Sequence, residues 1–257
     1  VSALLDVRDL HKHFGGLAAV RGVSFTVTAG QIKALIGPNG AGKTTIFNMI
    51  CGALAPTRGV VAFAGAPLPV CRPHLVAARG IARTFQLVRL FGEMTVLENV
   101  LVGCHRQGRA GWVACALRTR GMRDDERRLR ERARTVLDRV GLGAKADVPA
   151  ATLPYGEQRL VELARALGMQ PALLLLDEPG AGLNRLEQER LGRLIREIRD
   201  AGTTVLLVDH HMDLVMDISD EVLVLSYGEK LAEGTPCDVR SHPAVIAAYL
   251  GDEDGWC

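Results

Sequence analysis

Gly37-Pro38-Asn39-Gly40-Ala41-Gly42-Lys43-Thr44 is the stretch on which the reading of this chain turns. It satisfies the pattern G-x-x-x-x-G-K-[ST]. Before it, residues 31–36 read as a strand; after it, residues 44–51 have helical character. Strand, glycine-rich loop and helix in that order make an anion cradle. Glycines let the backbone wrap closely with its N–H groups turned inward, and the helix adds its positive end. Lys43 supplies a point charge for β- and γ-phosphate oxygens. Thr44 supplies a hydroxyl where Mg²⁺, which takes few protein ligands, needs one oxygen. Candidate nucleotide-binding residues are Gly37, Pro38, Asn39, Gly40, Ala41, Gly42, Lys43, Thr44 and Thr45.

Moving outward, Leu173-Leu174-Leu175-Leu176-Asp177-Glu178 is a buried-strand run that closes in two carboxylates. Side-chain alternation aims them in different directions, so one can serve a metal and the other a water. Asp177 is therefore the candidate metal partner, beside Thr44. Glu178 is the candidate general base for attack on a γ-phosphate.

Strands and helices alternate along most of the chain, which predicts an α/β fold with a largely parallel sheet. Strands are expected at residues 4–10, 20–27, 59–63, 81–85, 172–176, 203–208 and 221–225, with Tyr227-Gly228 as a hairpin turn. Helices are expected at 157–167, 187–199, 212–218 and 243–250. Strand signals stop between about Thr95 and Ala151, where a helical insertion is expected. Leu129, Ala133, Val136, Leu137 and Val140 form one apolar helix face there, with Gly141 as the carboxyl-terminal cap. The resulting division is residues 1–92 and 155–257 for the core and 93–154 for the helical subdomain.

Composition sets limits on the partners. The 257 residues carry 31 Lys+Arg against 29 Asp+Glu, a net charge of +2, too balanced to argue nucleic-acid binding. The Arg-rich run from Arg118 to Arg134 is interrupted by Asp124, Asp125, Glu126 and Glu131, so a solvated face is expected; Trp112 reads as local packing. Every apolar stretch is shorter than the roughly 20 residues that span a bilayer. The amino terminus lacks the basic-then-apolar order of a secretory signal. Cys51, Cys71, Cys104, Cys115, Cys237 and Cys257 are scattered, which suggests neither a zinc site nor a disulfide framework and fits thiols in a reducing cytoplasm.

Further segments resemble the ATP-binding subunits of ABC transporters. Leu153-Pro154-Tyr155-Gly156-Glu157-Gln158-Arg159 stands where that family carries its L-S-G-G-Q signature, ahead of a helix and shortly before Asp177. Gln86 matches the Q-loop, Ala181-Gly182-Leu183-Asn184 the D-loop, and His210 the switch histidine. The resemblance implies a P-loop NTPase (RecA-like) ABC ATPase core with an antiparallel β subdomain and an inserted helical subdomain, using ATP and Mg²⁺. It implies two such subunits packed head to tail, each presenting its signature, Tyr155, Gly156 and Glu157 here, to the nucleotide held by the other. By the same resemblance, Gln86 contacts the metal or the attacking water, His210 steadies the γ-phosphate, and Phe14 stacks on adenine. Three positions depart from the family pattern: Pro154 replaces the signature serine, Tyr155 its first glycine, and Asn184 the D-loop acid. Without a serine hydroxyl, helix-end electrostatics carry more of the contact.

A narrower resemblance is to the branched-chain amino-acid importer (Liv) family. It rests on Phe14-Gly15-Gly16-Leu17, on Arg83-Thr84-Phe85-Gln86 through Phe91, on Ala181-Gly182-Leu183-Asn184, and on the tail Ala248-Tyr249-Leu250-Gly251. What it implies is an ATPase on the cytoplasmic face of the membrane, bound to integral permease subunits and a second ATP-binding subunit. An extracytoplasmic solute-binding protein joins indirectly, and nucleic acid is not a partner. Residues Leu87 to Phe91 would lie near the permease contact. Urea and short amides are alternative solutes. A soluble ABC ATPase is disfavoured by the single phosphate loop and the absence of heptads or a basic tail. A small-molecule kinase needs no signature segment.

Overall fold

Alternating apolar and polar residues over the first thirty positions produce two long antiparallel strands, β1 (Ala3–Phe14) and β2 (Leu17–Thr28), joined at Gly15-Gly16. Both extend beyond their expected cores. The computed structural model describes residues 3–108 and 120–250, so Trp112, Arg118, Cys115 and Cys257 lie outside the described residues. The chain divides into two compact units, residues 1–83 with 172–257, and residues 84–171. The expected division at 92/93 and 154/155 falls elsewhere.

In the first unit, β2 and β1 pair with β4 (Arg58–Phe63) and β5 (Ala66–Pro67) in an antiparallel sheet. A second sheet holds β3 (Ile32–Ile36), β6 (Ile81–Arg83), β7 (Leu173–Asp177), β8 (Thr204–Val208), β9 (Glu221–Ser226) and β10 (Glu229–Gly234), in the order β10-β9-β3-β8-β7-β6. Its strands run parallel except β10, which returns from β9 through Tyr227 and Gly228, both at positive φ as a tight hairpin requires. Every residue of β3, β7 and β8 is buried, the signature of central parallel strands covered on both faces. One cluster joins the sheets: Val7 and Phe25 from the antiparallel sheet, Phe47 from helix α1 (Lys43–Ile50), and Leu175 and Leu206 from the parallel one. Strand β6 ends at Arg83, two residues short of its expected end. Helix α2 (Pro73–Ala78) was not expected.

In the second unit, α3 (Val96–Cys104) begins with a reciprocal capping box between Thr95 and Glu98. Of the expected apolar face, helix α4 (Arg120–Arg139) and the residue after it bury Ala133, Leu137 and Val140 and leave Leu129 and Val136 half-buried, and Gly141 follows at φ 78°. Its charges pair with one another: Arg127 with Asp124, Arg128 with Asp125 and Arg130 with Glu126, which makes a solvated face. Helix α5 (Tyr155–Gly168) packs on α3. The approach is backbone to backbone: a Cβ on Gly103 would stand 1.9 Å from the Arg165 carbonyl oxygen, and one on Gly168 would stand 3.1 Å from that of Val100. That crossing puts α5 in the helical unit, which spans 84–171.

The first unit is completed by α6 (Arg185–Asp200), α7 (Met212–Ile218), α8 (Pro236–Ser241) and α9 (Pro243–Leu250). Helix α8, capped by Thr235 and Asp238, was also not expected. Cys51, Cys71, Cys104 and Cys237 are free thiols. Among the described residues, no helix is long and apolar enough to cross a membrane.

Candidate functional site

The end of β3 delivers the chain into residues 37–42, and the backbone there needs glycine. Gly37 has φ 148° and a Cβ would stand 2.2 Å from the Leu225 carbonyl oxygen; Gly42 has φ 98° and a Cβ would stand 2.6 Å from that of Ala19. Neither position has room for a side chain, so the loop lies flush between β9 and β2. Helix α1 then starts at Lys43 with Gly42 as its N-cap, no capping side chain and no acid in its first turn. Its leading N–H groups are left for an anion. Lys43 Nζ donates to the carbonyls of Gly37 and Pro38. Burial pulls the ammonium pKa down, with the charge of Glu178 opposing. Asn39, Gly40 and Thr44 are exposed, Thr45 is half-buried and Ala41 is buried, its N–H bonded to the Pro38 carbonyl.

Beside the loop stand the two acids at the end of β7. Asp177 is buried and bonded at 2.8 Å to Arg83, whose other nitrogen reaches Asn48 Oδ1 on α1 at 2.6 Å. Burial works against the Arg83 charge, but the bonds to Asp177 and Cys51 outweigh it and the pKa is raised. Glu178 adopts φ 48° and donates its N–H to the Val208 carbonyl at 2.7 Å, turning its side chain off the strand. Its Oε2 lies 3.8 Å from Nδ1 of His210, which follows β8. The loop lysine and both acids thus meet at one end of the parallel sheet, with His210 against Glu178.

Phe14 ends β1 with its ring half exposed and so outside the core, and Lys12 Nζ lies 5.1 Å from the ring centroid. Asn184 is the N-cap of α6, accepting from the Glu187 N–H at 3.0 Å while Glu187 accepts from the Asn184 N–H at 2.9 Å. The amide serves this cap as well as an acid would.

Within the helical unit, Pro154 is the N-cap of α5 and contributes no side-chain cap, so the helix start is bare apart from Glu157, which pairs with Lys145 at 2.6 Å. Tyr155 is exposed; its ring lies under the Arg159 guanidinium and its hydroxyl accepts from Arg159 Nε at 3.1 Å. The other Arg159 nitrogens donate to the carbonyls of Phe85 and Gln86, at 3.3 and 2.8 Å. The Phe85 N–H reaches Glu162, whose pKa burial pushes up. The exposed Gln86 is therefore fastened through its backbone to α5.

Four contributors carried no assigned role in the sequence reading: Arg83 beside Asp177, Arg159 beneath Gln86, Asp209 and Tyr249. Asp209 had a signal, an acid placed directly after an unbroken apolar strand. Tyr249, on α9, has a largely buried phenol whose pKa burial raises and the facing Gly37 backbone opposes.

Comparison with known proteins follows this geometry. The ABC transporter family profile matches residues 20–181, and that of the branched-chain amino acid ATP-binding cassette transporter matches residues 229–255. The high-affinity branched-chain amino acid transport ATP-binding protein LivG of Escherichia coli (strain K12) is 46% identical over 250 residues, 97% of this chain and 98% of the relative. The corresponding protein BraF of Pseudomonas aeruginosa is 45% identical over the same shares. Among solved structures, the ADP conformation of an ATP-binding cassette of an ABC transporter superposes with a TM-score of 0.86 at 32% identity, covering 98% of this chain and 100% of that one.

Proposed function

The chain belongs to the ABC transporter family, and from that membership we propose that it is the ATP-hydrolysing subunit of an importer of branched-chain amino acids. The observation that carries the solute class is likeness to LivG and BraF over nearly the whole length, together with the tail match at residues 229–255. The observation that carries hydrolysis is the meeting of Lys43, Asp177 and Glu178 at one sheet end, with His210 against Glu178.

In this reading the backbone amides at the start of α1 and the Lys43 ammonium hold the β- and γ-phosphates. Thr44 and Asp177 offer oxygen donors, the hard ligands Mg²⁺ prefers, and would hold that ion. When bound, the ion neutralises phosphate charge. Glu178 accepts the proton of the attacking water, His210 steadies the γ-phosphate, and Gln86 reports its presence. Phe14 offers its exposed face to adenine. The open start of α5, with Tyr155, Gly156 and Glu157, completes the nucleotide site of a second ATP-binding subunit. ATP closes the pair and hydrolysis reopens it, because ATP binds the closed state better. Integral permease subunits receive the motion, an extracytoplasmic binding protein supplies the solute, and the chain sits at the cytoplasmic face of the membrane as a peripheral subunit.

Deleting the gene in its host and measuring uptake of leucine, isoleucine, valine, urea and short amides separately tests the proposal. Selective loss of the three branched-chain amino acids is expected; selective loss of urea or amide uptake overturns the solute.

A further inference from the structure

Neither His210 nor Glu178 is held by its own side chain alone; the loops that carry them share one buried carboxylate. Asp209 follows β8 with its side chain 0% exposed. Its Oδ1 accepts from the backbone N–H of His210 at 2.8 Å, from that of His211 at 3.0 Å and from His211 Nδ1 at 2.6 Å. Its Oδ2 accepts from the Gly180 N–H at 2.8 Å, two residues beyond Glu178. The space is filled: a Cβ on Gly180 would stand 3.0 Å from Asp209 Oδ2 and 3.2 Å from His211 Nδ1. The His211 ring lies beside that of His210, centroids 4.1 Å apart and planes inclined by 35°.

We propose that Asp209 and His211 are a positioning pair that presents the His210 imidazole to Glu178 and the γ-phosphate. His210 is 60% exposed at its side chain, so little else restricts its rotamer. His211 is different, because a ring nitrogen that donates to a fixed carboxylate sets both tautomer and ring plane. A ring fixed in this way is a wall against which the exposed neighbour rests. The carboxylate meanwhile ties the loop after β7 to the loop after β8, so Glu178 and His210 keep their 3.8 Å spacing as a unit. Asp209, His210 and His211 also bring three ligand atoms within 4.8 Å. Both Asp209 oxygens already accept hydrogen bonds, which favours an internal brace over a cation site.

This inference rests on the role proposed above for His210. The test compares His211→Ala, His211→Asn, His211→Phe and His210→Ala in the purified chain assembled with its permease subunits. Steady-state ATP hydrolysis, melting temperature and nitrogen-15 imidazole spectra are recorded. For His211→Ala, kcat is expected to fall about 10-fold with KM for ATP changed less than about 2-fold, as for a misplaced catalytic group. The His210 resonances should shift. His211→Asn, whose amide can still donate to Asp209, and His211→Phe, which keeps the ring face, should each recover part of the loss. If His211→Ala hydrolyses ATP at the wild-type rate while His210→Ala is inactive, the positioning pair is overturned and the role of His210 survives. If His210→Ala is itself fully active, that role fails. Should His211→Ala melt early, the Asn and Phe variants decide: equal loss of kcat in both with unshifted His210 resonances overturns the proposal.

Discussion

Arg83 holds Asp177 in a 2.8 Å ion pair whose guanidinium is 11% and whose carboxylate 5% exposed. The two lie at the ends of adjacent parallel strands, and Arg83 extends the link to Asn48 on α1. The loop helix and the acid strand are thus joined by one side chain. Breaking a buried pair leaves a desolvated charge behind, so Arg83→Met should lower the unfolding free energy by about 3–5 kcal/mol. Urea denaturation measures it, and a loss under about 1 kcal/mol would mean that water reaches Asp177 freely.

Glu178→Gln keeps the shape of the side chain and removes its basicity. ATP binding should persist, since Lys43 and the loop amides are untouched, while turnover should fall by about 10²–10⁴-fold. Equilibrium nucleotide binding and phosphate release measure the two separately. Size-exclusion chromatography with ATP should show a trapped dimer, and rapid hydrolysis would remove Glu178 from the base role.

Gly42→Ala should damage the loop more than Gly40→Ala. Both backbones lie at positive φ, which costs an L-residue about 1–2 kcal/mol. Only at Gly42 does the new Cβ also meet backbone, 2.6 Å from the Ala19 oxygen, whereas at Gly40 it meets open space. The expected order, in both melting temperature and ATP affinity, is wild type, Gly40→Ala, Gly42→Ala.

Acid should weaken the first unit through Glu233. Burial alone would raise its pKa, but hydrogen bonds from Lys230 and the buried Lys33 overcome that and hold it below the usual carboxylate value. A depressed carboxyl stabilises the fold above its unfolded pKa and loses that contribution as pH falls through the folded one. Denaturation midpoints should therefore drop below about pH 4.5. Glu233→Gln should lose stability near neutrality and show a shallower acid dependence.

The sequence made legible whatever is written in consecutive residues. The phosphate loop is an ordered string of types, and β3, β7 and β8 are unbroken apolar runs. Helix α4 shows its face through spacing alone. What stayed hidden depends on partners far along the chain. Arg83 and Asp177 are 94 positions apart and Arg159 and Gln86 are 73 apart, and neither pair leaves a local mark. Helices α2 and α8 have six residues each, too few for a period to repeat. The unit boundary was misplaced because nothing near Gly103 announces that its missing side chain admits α5.

That absent side chain has a mechanical result. Two helices held apart by long side chains have play between them, since rotamers can turn before the axes move. Where α3 and α5 touch main chain to main chain at Gly103 and Arg165, there is nothing soft to compress. A displacement of α3 is therefore expected to carry α5 with it, so that the bare tip of α5 would move as the far end of a stiff lever.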